Sequence, residues 1–279
     1  MGEIVGAFGV PHNPHFPTWV EQGAPLGPEV ARLYGEIAAS LRACRPETLV
    51  VITSDHYNAF FEVLPIFAIG VADSACGPSD YPTLARRELP FDAELGRVLH
   101  THLVEHGFDA AMVREIELDH TVIAPLWLLL PDAPLPIVPV FINAFIRPLP
   151  SAQRCLELGA AIRAAVELDP SAGRVAVLAS GSFSLEIGGP RISETSHTGV
   201  PDPAWLGRVV ELLRAGQVAE LVEEATDEQL WKAGNAGGEL LDWIAMLGTV
   251  DPAPPASLEV QAQFGHAFAA WPGAGADAA

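Results

Sequence analysis

The 279 residues carry 15 Lys and Arg against 35 Asp and Glu, a formal charge of −20, and 49% of them are hydrophobic. A chain of this length buries an ample core, as one large domain or two small ones. The acidic balance, with no basic run, argues against nucleic acid, whose phosphates need clustered Lys and Arg, and against an anionic membrane surface.

In chain order, the first apolar run, residues 4–8, reads as a strand and leads into Pro11-His12-Asn13-Pro14-His15. Helical spacing follows at 28–42, then a strand at 49–53 leading into Asp55-His56-Tyr57-Asn58. A strand at 66–71 is followed by 84–90, which looks like a connecting loop, and by a helix at 92–106. That helix carries His100, His102 and His106 without a HExxH context, so surface histidines are expected there. A strand at 110–114 precedes Asp119-His120 and the apolar run 122–130, which falls well short of the roughly 20 residues of a membrane span. Strands at 137–142 and 175–179 enclose a helix at 152–166. Residues 181–203, rich in Gly, Ser, Thr and Pro, form a long loop of the kind that often serves as a lid or binding loop. Helices at 204–213 and 239–247, a strand-like segment at 258–264 and a fraying tail at 272–279 complete the chain.

Strands alternating with helices, with near-continuous apolar strands, indicate a single-domain α/β fold over residues 1–271. Its central sheet is expected to be mostly parallel or mixed, with helices on both faces. The N-terminus enters a strand without a basic segment or apolar signal core, so a cytoplasmic location is expected. Cys44, Cys76 and Cys155 lack CxxC spacing and read as reduced, buried small residues.

Loops leaving the carboxyl ends of neighbouring strands converge on one crevice. His12 and His56 are delivered there from distant parts of the chain, which suits a metal site. Asp55, Tyr57 and Asn58 add a polar cluster at the same strand end. Asp119-His120 reads either as a helix N-cap with an exposed ring or as a buried general base. Glu239, after the glycine-rich Gly234-Asn235-Ala236-Gly237-Gly238, opens an amphipathic helix and is the candidate carboxylate ligand. A first-turn glutamate is also common for dipole reasons alone. Two imidazoles and a carboxylate suit non-haem Fe(II), and zinc hydrolases use the same types. His266, in Phe264-Gly265-His266-Ala267-Phe268, reads as a packing or pocket-rim residue.

Asp55-His56-Tyr57-Asn58-Ala59-Phe60-Phe61, Pro139-Val140-Phe141-Ile142-Asn143, Pro148-Leu149-Pro150 and Asp119-His120 resemble segments of the class III extradiol ring-cleavage dioxygenases. This is the superfamily of the protocatechuate 4,5-dioxygenase β subunit and of 2,3-dihydroxyphenylpropionate 1,2-dioxygenase. The similarity runs over most of residues 1–190 and resumes near Glu239. It implies an Fe(II) enzyme in which His12, His56 and Glu239 bind the metal and a catechol-like aromatic and O2 are the substrates. It implies further that His120 acts as base or hydrogen-bond donor and that the chain assembles as a homo-oligomer. Asp55, Tyr57 and Glu186 are the candidate substrate-binding residues.

The chain departs from that pattern at Gly181-Ser182-Phe183-Ser184-Leu185, where Leu185 stands in place of the acid/base histidine of a Gly-Gly-Leu-Ser-His segment. The usual Asp-His-Gly is Asp119-His120-Thr121. Three readings follow: His197 of the long loop serves instead, the substrate needs less help with Glu186 contributing, or the chemistry differs. The rival functions are a zinc or iron hydrolase or lyase, and a non-catalytic paralogue on the same scaffold.

Overall fold

A computed structural model describes residues 1–132, 135–192 and 197–273. β1 (Glu3–Val10) leads to the short helix α1 (Phe16–Glu21) and to α2 (Gly27–Ala43). β2 (Thr48–Thr53), β3 (Phe67–Gly70), β4 (Ser74–Gly77) and β5 (Arg87–Pro90) precede α3 (Ala93–Glu105) and β6 (Ala111–Val113). Next come α4 (His120–Leu129), β7 (Ile137–Ile142), α5 (Ala152–Leu168) and β8 (Arg174–Ser180). Beyond the small strands β9 (Glu186–Ile187) and β10 (Thr198–Gly199) lie α6 (Pro203–Ala215), α7 (Val218–Glu224) and α8 (Asp227–Lys232). A 3-10 turn, Gly237–Glu239, runs into α9 (Leu240–Gly248), and the hairpin β11 (Ser257–Gln261) and β12 (His266–Pro272) closes the fold.

Local chemistry sets several of these boundaries. Asp92, Ser151 and Asp202 each accept a backbone N–H two or three positions inside the helix they precede, satisfying a donor that the helix start leaves free. Helix α6 has Pro203 in its first turn and ends at Gly216, which adopts φ 68°, a left-handed conformation that glycine enters without a Cβ penalty.

Eight strands form one sheet in the order β11-β12-β1-β8-β2-β7-β3-β6. β1, β8, β2 and β7 are mutually parallel, while β12 and β3 pair antiparallel on either side of them. The expected mixed α/β sheet is therefore the architecture found. Alternate side chains feed two cores. Ala7, Val50 and Ile52 pack with α3, α5, α6 and α9 on one face, and Phe8, Leu49 and Val51 pack with α1, α2 and α4 on the other. Both faces are thus covered, which explains why β2 and β7 carry no outward polar alternation.

Several local expectations need correction. Residues 84–90 are not all loop: Arg87–Pro90 is β5, paired antiparallel with β4. The last strand segment is split, since β11 ends at Gln261 and a 3-10 turn separates it from β12, which the sequence pattern did not mark. Cys44 and Cys155 are buried, but Cys76 is exposed on the small β4–β5 ladder. Pro272 ends β12 and the Gly273 N–H donates to the Val5 carbonyl at 2.9 Å. The expected fraying tail otherwise falls on residues 274–279, outside the described residues. Among the described residues no helix is long and apolar enough to cross a membrane.

Candidate metal centre

The carboxyl ends of β1, β2 and β8 lie side by side, and the residues just beyond them build the site. His12 follows β1 by two residues and is buried. The backbone before it is held because the Tyr34 hydroxyl donates to the Pro11 carbonyl at 2.5 Å. His56 follows β2 and is steadied from a different element: its N–H donates to Asp119 Oδ2 at 2.9 Å. The loop after His56 closes on Asp55, whose carboxylate accepts the N–H groups of Asn58, Ala59 and Phe60 at 2.9–3.2 Å. Tyr57, at φ 61° and partly exposed, forms the tip of that turn.

Glu239 completes the cluster from the other end of the chain. Its Oε1 lies 3.2 Å from both His12 Nε2 and His56 Nε2, and its Oε2 accepts the Ser182 N–H at 2.7 Å. It closes the 3-10 turn before α9 rather than opening the helix proper. The glycines before it are required by close approach, since a Cβ on Gly238 would sit 2.0 Å from the Ala144 carbonyl oxygen. The segment Gly181–Glu186 is stitched to the same turn. The Ala236 N–H donates to the Leu185 carbonyl at 3.0 Å, and the Asn235 N–H donates to Glu186 at 2.9 Å.

The donor set fits a divalent cation. The Ser180 hydroxyl donates to the Thr121 carbonyl at 2.9 Å, so its oxygen, 2.8 Å from His12 Nδ1, accepts the Nδ1–H. In the neutral ring His12 Nε2 is then a bare lone pair, and it faces a carboxylate oxygen. Two acceptors at 3.2 Å hold together when a cation lies between them. Adjacent ligand atoms around a metal with bonds near 2.1 Å stand roughly 3 Å apart, so the spacing is one that metal ligands can adopt. Glu239 is fully buried. Burial alone would raise its carboxyl, but His12 and His56 together bring it well below the ordinary range. Burial likewise disfavours the charged His56 ring, yet Glu239, Asp119 and Asp80 together raise its pKa.

His120 joins this cluster. Its ring centroid lies 4.8 Å from that of His56 and 5.6 Å from that of His12, and ring nitrogens of the three lie within 4.8 Å of one another. Asp119 caps α4 by accepting the Thr121 N–H at 3.0 Å, as the N-cap reading expects, but the His120 ring is buried rather than exposed. The His120 N–H donates to Asp80 Oδ1 at 3.0 Å, and Nδ1 bonds to Asp80 Oδ2. Burial, helped by His56 and His12, lowers the His120 pKa against the pull of Asp80 and so favours the neutral ring. Aromatic side chains border the cluster, with Phe145 edge-on to His56 at 4.8 Å.

Other sequence candidates lie elsewhere. Glu186 is buried and its carboxylate is committed to Arg191, at 2.5 Å, and to the Asn235 N–H, so it pins the loop. His197 is exposed where β9 and β10 pair, its carbonyl accepting the Gly188 N–H at 2.9 Å. No described contact brings its ring to the imidazoles. The Asp55 carboxylate is occupied by its own turn. His102 and His106 stack on the surface at 3.9 Å, and His100 bonds the Ala110 carbonyl. His266 is buried in the packing between Phe16 and Phe264, its Nδ1 without a partner among the described residues. Burial, with His12 nearby, pushes its pKa down to about 3.

Sequence reasoning missed Asp80, Ser180 and Asp242. Asp80 sits in Ser79-Asp80-Tyr81-Pro82, which reads as an ordinary turn, and its partner is 40 residues away. Ser180 ends an apolar strand, the one polar side chain of β8 facing this crevice, and that is the signal that could have found it.

Comparison with known proteins bears on this geometry. A family profile described as the catalytic LigB subunit of aromatic ring-opening dioxygenase matches residues 6–271. A 2,3-dihydroxyphenylpropionate/2,3-dihydroxicinnamic acid 1,2-dioxygenase of Klebsiella pneumoniae is 30% identical over 257 aligned positions, covering 78% of this chain and 80% of that one. A gallate dioxygenase of Pseudomonas putida is 31% identical over 183 positions, covering 64% of this chain and 50% of the relative. Among solved structures, an uncharacterized protein of Escherichia coli K12 superposes with TM-score 0.60 at 16% identity, covering 95% of this chain and 99% of that one. That last likeness concerns the fold alone.

Proposed function

The chain belongs to the LigB family of aromatic ring-opening dioxygenases, and from that premise we propose that it is an Fe(II)-dependent extradiol-type enzyme whose metal is held by His12, His56 and Glu239. The observation that carries this reading is the convergence of two imidazole Nε2 atoms on one buried carboxylate oxygen, 3.2 Å from each. Two histidines and a carboxylate leave coordination positions open, as non-haem Fe(II) oxygen chemistry requires. The chemistry a ferrous ion supplies when bound is to hold a deprotonated diol and O2 side by side and pass electron density from one to the other.

The chain's own residues do the rest. Glu239 offsets cationic charge in a pocket that burial makes electrostatically strong. Ser180 fixes the tautomer of His12, and Asp119 fixes the backbone at His56. His120, the one member of the imidazole cluster not held by Glu239, accepts a substrate hydroxyl proton. Phe145 offers an aromatic wall beside His56 against which a planar ring can pack. The substrate class is a catechol or related hydroxylated aromatic, and both atoms of O2 enter the product.

The test is direct. Protein loaded anaerobically with Fe(II) is mixed with O2 and a panel of catechols, hydroquinones and aminophenols, and O2 uptake is followed together with the visible absorbance of a ring-opened product. We expect stoichiometric O2 consumption and a yellow product with at least one diol. Full iron occupancy with no turnover across the panel overturns the reading.

A further inference from the structure

Of the three clustered imidazoles, His12 and His56 meet Glu239, and His120 meets a carboxylate of its own. Asp80 takes two hydrogen bonds from one residue, the His120 backbone N–H at 3.0 Å and the ring Nδ1. Two bonds to one rigid carboxylate fix both the position of the histidine and the rotation of its ring. The loop that brings Asp80 there is itself anchored at both ends. The Ser79 N–H donates to the Leu118 carbonyl at 2.9 Å, and the Tyr81 hydroxyl lies 2.5 Å from His15 Nδ1, with Trp19 stacked on the His15 ring. The Tyr81 ring then stands 6.4 Å from His120. Asp80 makes no hydrogen bond to His12, His56 or Glu239 among the described contacts.

We propose that Asp80 is a positioning residue for the reaction: its carboxylate holds His120 as the Nδ1–H tautomer and leaves Nε2 as a bare lone pair for the metal-centre side. A carboxylate accepts and cannot donate, so the hydrogen in the Asp80–His120 bond must come from Nδ1. Neutral imidazole carries a single ring N–H, and Nε2 is therefore unprotonated. In the reaction Nε2 takes a substrate hydroxyl proton, the hydroxyl oxygen keeping its electron pair. The resulting imidazolium keeps its Nδ1–H on Asp80, whose negative charge faces the new positive one. The same proton leaves from Nε2 in a later step, so the dyad ends as it began. Burial opposes the Asp80 charge, but the bonds from His120 lower its pKa and keep it ionised at neutral pH. The catalytic part of this inference rests on the ring-opening reading, while the tautomer part stands without it.

The experiment therefore has two arms. Nitrogen-15 NMR of histidine-labelled protein, loaded with diamagnetic Zn(II) and with His120 assigned by its loss in His120→Phe, reads the tautomer of the wild-type ring directly. We expect a protonated Nδ1 and a bare Nε2, and a shift towards Nε2–H in Asp80→Asn, whose amide can donate to Nδ1. In the iron-loaded enzyme Asp80→Asn should lower kcat about 10- to 100-fold with little change in KM or metal content, and Asp80→Glu should recover part of the loss. A wild-type ring already protonated on Nε2 overturns the proposal whether or not the variants fold. So does Asp80→Asn with an unchanged tautomer, or with lost metal as the whole cause of lost turnover. A correct tautomer in a protein that opens no ring would instead count against the dioxygenase reading alone.

Discussion

Ser180 shows how much of this site is decided by single hydrogen bonds. Its hydroxyl hydrogen is already given to the Thr121 carbonyl, so the oxygen has only acceptor capacity left for His12. Ser180→Ala frees the His12 ring to adopt the other tautomer, and we expect metal affinity to fall about 10- to 100-fold with the fold intact. Titration with Fe(II) or Zn(II) by calorimetry checks this, and unchanged affinity would mean that Ser180 does not set the tautomer. Asp242, also fully buried, makes a different statement. Burial, with Glu239 nearby, pushes its carboxyl well above the usual range against the pull of the Ser54 hydroxyl at 2.7 Å. Its folded pKa is thus raised above the unfolded value of about 4. Stability from this group is full below that pH and is lost as pH rises towards the folded pKa, by at most about 1.4 kcal/mol per unit. Asp242→Asn keeps a partner for Ser54 and cannot ionise, so urea unfolding of the metal-free protein between pH 5 and 8 should lose that component of its slope. An identical slope would place a charged Asp242 in the core. His12, His56 and Glu239 were legible as residues because histidines at strand ends and a glycine-flanked glutamate are uncommon placements. Asp80, Ser180 and Asp242 were not, because a short polar side chain in a turn, strand or helix looks the same whether or not it meets a partner far along the chain.

At the level of elements, the site depends on two segments crossing at close range. The turn Gly237–Glu239 and the stretch after β8 touch where a Cβ on Gly181 would stand 2.8 Å from Glu239 Cβ and 2.9 Å from its carbonyl oxygen. A methyl group cannot fit there unless Glu239 moves. Gly181→Ala should therefore cost metal binding while far-UV circular dichroism stays near wild type, and retained stoichiometric metal would show that the turn can shift without losing the ligand. Helix α4 plays a comparable part, since its N-cap Asp119 also binds the His56 N–H and so couples the helix start to the loop after β2. The strands of the parallel centre were readable because each is a run of β-branched and apolar residues buried on both faces. β12 escaped because His266–Pro272 is rich in alanine and its strand character comes from pairing with β1 and β11. β5 escaped because four residues, Arg87–Pro90, with Glu88 exposed, carry no period of their own and take their form from β4.

For the whole molecule, the parallel order β1, β8, β2, β7 brings three strand ends to one crevice, and the net charge of −20 raises the value of a cation bound there. A ligand bound by the folded state alone, at 100 times its Kd, stabilises by about 2.7 kcal/mol. For a chain of this size that is a rise in Tm of roughly 4–6 °C. Thermal melts with and without Fe(II) or Zn(II), and after removal by a chelator, should show the shift in the wild type and its loss in His12→Ala. Equal shifts in both proteins would place the metal elsewhere. Hydrophobic periodicity by itself determined the α/β class, the main strands and helices and the loops that carry His12, His56 and His120, since burial on both faces writes itself into local composition. Only the tertiary structure decided that Glu239 meets two imidazoles, that Glu186 is spent on Arg191, and that Asp80 stands behind His120. Those pairings join residues from 5 to 227 positions apart, and the contacts that make them follow from how the sheet is ordered, which no local pattern records.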